Sequence, residues 1–166
     1  MKWDEIGSQS CSIARALSEV GDRWTLLLLR EAFLRTRRFA DFVEHTGAAR
    51  NLVADRLGKL VDAGILERRR YQERPERHEY RLTPKGLDLY PVMMALVRWG
   101  DRWHDDGRGK PIEHHHRACQ QVMHAEIVCS ECGEPLDPHD VDVRPGPGLR
   151  HPNRAQHLAR PRENSP

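Results

Sequence analysis

The chain has 166 residues, with 27 Lys and Arg set against 25 Asp and Glu for a formal net charge of +2 at pH 7. That is room for one small core, and far from the polybasic surplus of a histone-like protein, so any affinity for DNA has to come from local arrangement of charge and from two copies of a domain. No apolar run reaches membrane length and MKWDEIGSQS lacks the basic start and apolar stretch of a signal peptide, so a cytoplasmic protein is expected.

In chain order, Cys11–Val20 reads as a first helix ended by Gly21, and Asp22 can cap the next one, RWTLLLLREAFL. The near-continuous apolar run through Trp24, Leu26, Leu27, Leu28 and Leu29 predicts a helix buried on most sides. Arg37, Arg38 and Phe39 lead into a short third helix, ADFVEHT, which stops at Gly47. A fourth helix follows through NLVADRLGKLVDAG, with Leu52, Val53, Leu57, Leu60 and Val61 at helical spacing and Gly64 in the C′ position. Helices three and four, a tight turn apart, make a helix-turn-helix.

Opposite the apolar stripe of the fourth helix lie Asn51, Asp55, Gly58 and Asp62, flanked by Ala54 and Lys59, a face small and polar enough for a major groove. Next, ILERRRYQERPERHEYRLT reads as strands Ile65–Tyr71 and His78–Thr83 joined around Pro75, with Leu66, Tyr80 and Leu82 on the inner face. Arg68, Arg69, Arg70, Arg74, Arg77 and Arg81 crowd this hairpin while Glu67, Glu73, Glu76 and Glu79 offset them. A salt-bridged solvated ribbon is the bland alternative, but an arginine at the tip can still reach phosphate. An outward helix beside a basic ribbon is how a winged helix grips duplex DNA.

Thr83 can cap a long final helix with Pro84 at its first position, and Pro91 would kink it near its start. Leu89, Met93, Leu96, Gly100 and Trp103 recur at near-heptad spacing, and Tyr90, Val92, Val97 and Trp99 make a second stripe. One small domain cannot cover both, so this helix is the expected homodimer interface, presenting two recognition helices to an inverted repeat.

After DDGRGKP come HHHRAC at 114–119 and CSECG at 129–133. His116, Cys119, Cys129 and Cys132 have the knuckle spacing of a zinc ribbon, with His114, His115 and His124 as other candidates for the histidine ligand. A ribbon that folds without metal, or a dithiol, fits equally well. Beyond Asp142 the Pro-, Arg- and His-rich text is expected to be disordered.

The ordered landmarks from Cys11 to Trp103, namely the opening cysteine, GDRWTLLLLR, RRF, RNLVADRLGKLVDAGIL, ERPERHEYRLT and a final WG, resemble the HxlR-type bacterial transcriptional regulators. The resemblance implies a dimeric winged helix-turn-helix that binds an operator and represses or activates a promoter, in some cases under a small-molecule effector. It also implies a candidate redox sensor at Cys11, for which a small buried hydrophobe is the alternative. Ala49 departs from the hydroxyl residue usual before the recognition helix, which leaves phosphate and capping roles to Arg50 and Asn51. Arg56, nearer the core edge, is expected to pair with an acidic neighbour or a phosphate.

The expected architecture is therefore mainly α with a small β-hairpin (α+β): a winged helix-turn-helix dimerising through terminal helices, plus a small C-terminal ribbon. Its parts are a DNA-binding and dimerisation domain at 1–104, a linker at 105–113, the Cys/His ribbon at 114–142 and a tail at 143–166. Arg50, Asn51, Ala54, Asp55, Lys59, Arg70, Arg74 and Arg77 are the candidate contacts to double-stranded DNA. No cofactor is required beyond a candidate structural zinc, and no enzymatic motif such as a Gly-rich phosphate loop, HExxH or nucleophile elbow occurs. The competing reading is a zinc or dithiol redox protein using the C-x-x-C pair, against which stands the Gly-Glu-Pro that follows the pair in place of a helix.

Overall fold

The structure, a computed structural model, describes residues 3–158. A 3-10 turn (Trp3–Ser8) and α1 (Ser12–Val20) precede α2 (Arg23–Phe33), α3 (Phe39–Thr46) and α4 (Arg50–Asp62). Then come β1 (Leu66–Gln72), β2 (Arg77–Leu82), α5 (Pro84–Leu87), α6 (Tyr90–Trp103), β3 (His114–His115), β4 (Val122–Met123) and α7 (Pro152–Leu158). The chain divides into two compact units, Gly21–Glu126 and a second made of Met1–Val20 with Ile127–Pro166.

In the first unit the helix ends follow from capping chemistry. The Asp22 carboxylate accepts the Trp24 and Thr25 N–H groups at 3.0 and 3.2 Å and starts α2. Gly47, at φ 65°, closes α3 in the left-handed region. Past α4, the Gly64 N–H bonds the Val61 carbonyl and the Ile65 N–H the Leu60 carbonyl, both at 2.9 Å, the paired closure of a Schellman motif. Phe42, Leu28, Leu29, Leu57, Leu60, Ile65, Leu66 and Val53 form the fully buried core where these elements meet. The apolar run of α2 is less enclosed than expected: Leu28 and Leu29 are buried, but Trp24, Leu26 and Leu27 are half-buried. The packing of α2 against α3, α4, β2 and α6 leaves part of its circumference outside the core.

β1 and β2 pair antiparallel from Leu66↔Leu82 to Gln72↔Arg77. The segment before α3 joins them, with an Arg38↔Glu79 bridge and the Tyr80 N–H on the Arg37 carbonyl at 2.8 Å, while Tyr80 meets Phe42 edge-on. Thr83 then caps α5, accepting the Gly86 N–H at 3.1 Å and donating to the Gly64 carbonyl at 2.6 Å. α5 approaches so closely that a Cβ on Gly86 would lie 2.2 Å from the Ile65 carbonyl oxygen.

The single long helix expected from Thr83 is two helices. Pro91 lacks the N–H that would bond the Leu87 carbonyl, and in a continuous helix its ring would clash with that carbonyl, so α5 ends at Leu87 and α6 restarts with Pro91 in its first turn.

In the second unit the 3-10 turn packs on α1, and the Arg150 N–H donates to Ser10 Oγ at 3.3 Å. The tail expected to be disordered beyond Asp142 contains α7, started by Pro152 and by His151, whose ring nitrogen faces the Arg154 N–H at 3.3 Å. The last eight residues of the expected tail, 159–166, lie outside the described residues. The expected ribbon at 114–142 is divided: β3 and β4 pair within the first unit, whereas Cys129 and Cys132 belong to the second.

Candidate nucleic-acid interface

α4 is anchored by its apolar side. Val53, Leu57 and Leu60 are buried, and the opposite face presents Arg50, Asn51, Ala54, Asp55 and Lys59, all exposed. Its cap residue, Ala49, makes no side-chain bond to the helix start. Arg50 does not take over that role, since its guanidinium lies over the Phe39 ring at 5.0 Å from the centroid.

Arg56 ties α4 to α2. Its Nε and Nη2 donate to the Asp22 carboxylate at 2.9 and 3.2 Å, and its Nη1 donates to Asp55. Lys59 Nζ reaches the same Asp55 carboxylate at 3.0 Å. Arg56 foremost, then the Thr25 and Trp24 N–H groups, holds the Asp22 carboxyl below the usual carboxylate range; Lys59, with Arg56, does the same for Asp55. Asp22 was legible as a cap, but nothing local in the sequence announces a partner 34 positions away. A second hub escaped sequence reading altogether. The buried Glu31 carboxylate receives Arg30 at 2.7 Å, the Thr36 hydroxyl at 3.2 Å and His45 Nδ1 at 3.1 Å, joining α2 to α3.

On the hairpin the charges sort by position. Arg69 pairs with Glu67 at 2.7 Å, Arg81 with Glu79 at 2.6 Å, and Arg70 more loosely with Glu73 at 3.4 Å. Arg68 bonds His78 at 3.0 Å, and Arg38 lies over the Tyr71 ring. Arg74 and Arg77, which flank the turn, have no ion pair among the described residues and are exposed.

On α6 the five expected interface residues part into two sets. Leu96 and Trp103 are exposed, and with Val92 and Trp99 they form a stripe at i, i+4, i+7 and i+11. Leu89, Met93 and Gly100 are half-buried. Met93 and Gly100 line a cavity of about 560 Å³ with Phe33, Leu34, Tyr90 and Val97.

Cys11 sits at the start of α1, half-exposed, so it is not a buried hydrophobe. The Ala14 N–H foremost and then the Ile13 N–H hold its thiol below the ordinary value, with Arg154 and Arg15 adding to the effect. Among the metal candidates, Cys119 Sγ lies 3.4 Å from His116 Nδ1, and Cys129 stands in a turn where its N–H bonds the Glu134 carbonyl at 2.8 Å. Among the described residues no three His, Cys, Asp or Glu side chains gather as a metal-binding group. The Cys129 thiol is lowered by the Cys132 and Glu131 backbone N–H groups, so this turn depresses a thiol without the helix that sequence reading required.

The HxlR-like helix-turn-helix family matches residues 19–108, from the end of α1 to just past α6. The chain belongs to that family. An uncharacterized HTH-type transcriptional regulator of Mycobacterium tuberculosis is 42% identical over 139 residues, covering 84% of this chain and 88% of the relative. One from Synechocystis is 33% identical over 94 residues, 56% of this chain and 70% of the relative. Among solved structures, a protein described as a transcription factor superposes with TM-score 0.74 at 31% identity, covering 86% of this chain and 98% of that one. The oxidized form of the redox regulator HypR does so at 0.53 and 26%, covering 57% and 99%. This HxlR-like chain is a DNA-binding transcriptional regulator with a winged helix-turn-helix of the α+β class. Among the described residues no helix is long and apolar enough to cross a membrane.

Proposed function

We propose that this regulator binds an operator as a homodimer, with α4 in the major groove and the β1–β2 hairpin beside it on the phosphate backbone. The observation that carries the reading is the sorting of wing charge: four hairpin arginines are engaged by Glu or His neighbours, while Arg74 and Arg77 are left for phosphate. At the start of α4, Arg50 and Asn51 face outward, and the helix end without a side-chain cap favours an anion. Asp55, its charge balanced by Lys59 and Arg56, no longer repels phosphate and keeps acceptor capacity for cytosine N4.

The exposed stripe Val92, Leu96, Trp99 and Trp103 supports the dimer, since Trp99 and Trp103 are 58% and 64% exposed in the single chain. Two-fold pairing through it would set two copies of α4 on half-sites about 34–36 Å apart. Selection of bound duplexes from a random library tests the reading. An inverted repeat with one-turn half-site spacing is expected, and recovery of unrelated sequences would overturn it.

A small-molecule effector is favoured by the cavity between α2 and α6, whose size lies within the range of about 300–1,000 Å³ typical of ligand pockets. Its lining by Phe33, Leu34, Met93 and Val97 suits an apolar compound. A thiol-based response at Cys11 is supported by its depressed pKa and by the likeness to HypR.

A further inference from the structure

We propose that the unit formed by Met1–Val20 and Ile127–Pro166 holds a binding site for a small polyanion, a molecule carrying two or more phosphate or carboxylate groups, in the cleft between the C-terminal tail and the start of α1. The cleft is about 790 Å³ and is lined by Arg15, Arg144, Arg150 and Arg154, with Cys11 and Ser12 at the foot of the helix. Among the described residues no Asp, Glu or His lines it. Arg144, Arg150 and Arg154 make no ion pair among the described residues, whereas Arg56 on α4 and Arg69, Arg70 and Arg81 on the hairpin each meet an Asp or Glu. Arg15 is turned by a bond from Nη2 to Ser12 Oγ at 3.2 Å, and the Arg150 N–H on Ser10 Oγ pins the tail across the cleft.

Four like charges around one concavity repel one another, and a bound anion is the simplest compensation. Guanidinium forks match carboxylate and phosphate oxygens, and α1 offers its positive end with no acidic residue in its first turn. The feature is a concavity of ligand size, which suits a small molecule better than a duplex. Its lining residues all lie outside the matched stretch 19–108, so the site would add an input that the helix-turn-helix alone does not have.

Cys11 provides an internal reporter for the full-length protein. Its alkylation by the anion iodoacetate and by neutral iodoacetamide is followed by mass spectrometry of the Cys11 peptide. A cationic cleft should raise the iodoacetate-to-iodoacetamide rate ratio about tenfold over the free thiol, and Arg144→Ala with Arg154→Ala should abolish most of that excess. Pyrophosphate and citrate, each tested against chloride at equal ionic strength, should protect Cys11 in the wild type. Stronger protection by one would assign phosphate or carboxylate as the preferred group. Protection no better than chloride overturns the site whether or not the double variant folds. So does a double variant that weakens operator binding and flattens its salt dependence without any anion protection, because the arginines would then serve the DNA backbone.

Discussion

Asp22 does two jobs with one carboxylate, and they can be separated by substitution. It caps α2 through the Trp24 and Thr25 N–H groups, and it receives Arg56 from α4 at 2.9 and 3.2 Å. Loss of the cap costs about 1 kcal/mol. The ion pair is bidentate, but its side chains are 37% and 21% exposed, so solvent screening limits it to about 1 kcal/mol at most. Asp22→Ala should therefore lower stability by about 2 kcal/mol and Asp22→Asn, which still caps, by about 1 kcal/mol. Urea unfolding at pH 7 measures both, and a double-mutant cycle with Arg56→Ala should return a coupling of roughly 1 kcal/mol. The pH dependence carries a sign. Arg56 and the two N–H groups depress the folded-state pKa, so the Asp22 contribution is complete above the unfolded carboxyl value of about 3.9 and is lost as pH falls through the lower folded value. The gap between wild type and Asp22→Asn should thus be flat at neutral pH and close in acid. Equal destabilisation by Ala and Asn would show that the cap contributes nothing, and an additive cycle would refute the link between α2 and α4.

Arg77→Ala should weaken operator binding across sequences and flatten the salt slope by about one unit per protomer, whereas Arg56→Ala should leave the slope unchanged because its guanidinium is held by Asp22 and Asp55. Leu96→Asp should dissociate the dimer in sedimentation experiments, and a monomeric wild type at micromolar concentration would sink the interface. Gly86→Ala forces a Cβ to within 2.2 Å of the Ile65 carbonyl oxygen, so α5 must shift; a loss of about 2–3 kcal/mol in urea unfolding is expected, and a neutral outcome would contradict the close approach. Elemental analysis of protein purified under reducing conditions without chelator tests the zinc reading. About one metal per chain would mean that His116, Cys119, Cys129 and Cys132 are drawn into one tetrahedron, and near-zero zinc would end that reading.

The helix ends were legible because they are chemical signals. Asp22, Gly47, Gly64 and Thr83 each satisfy or release backbone groups at a fixed offset, and each stands where such a signal predicts. Pro91 was legible only as a kink, since whether a missing N–H bends a helix or breaks it depends on what the neighbouring turns gain from packing. The contacts that hold elements together were not legible. Arg56 with Asp22 and His45 with Glu31 are pairs of distant positions, and every charged residue in the chain has several equally plausible partners by sequence. The tail misled for another reason: its composition is that of a disordered segment, yet Pro152 and His151 start a helix there and Ser10 anchors it. Of the candidate site, the exposed positions on α4 were fixed by helical periodicity, while which wing arginines are spent on carboxylates could be read only from the folded hairpin.

That sorting explains how a chain of net charge +2 can grip a polyanion. Wing carboxylates sit beside Arg69 and Arg81 on the strands, which neutralises the ribbon away from its tip and leaves Arg74 and Arg77 as the free cations nearest the turn. Two free wing arginines, even with Arg50 at the start of α4, give one copy few phosphate contacts, and each contributes only about 0.9 to the salt slope. Under the proposed dimer, pairing through the Val92, Leu96, Trp99 and Trp103 stripe would double the set without adding charge to either chain. The salt slope then reads out assembly as well as contact. Arg77→Ala removes one phosphate contact from a bound monomer but two from a bound dimer, so a change of about two units per complex requires the dimer, and a change of about one unit would place a single copy on the DNA.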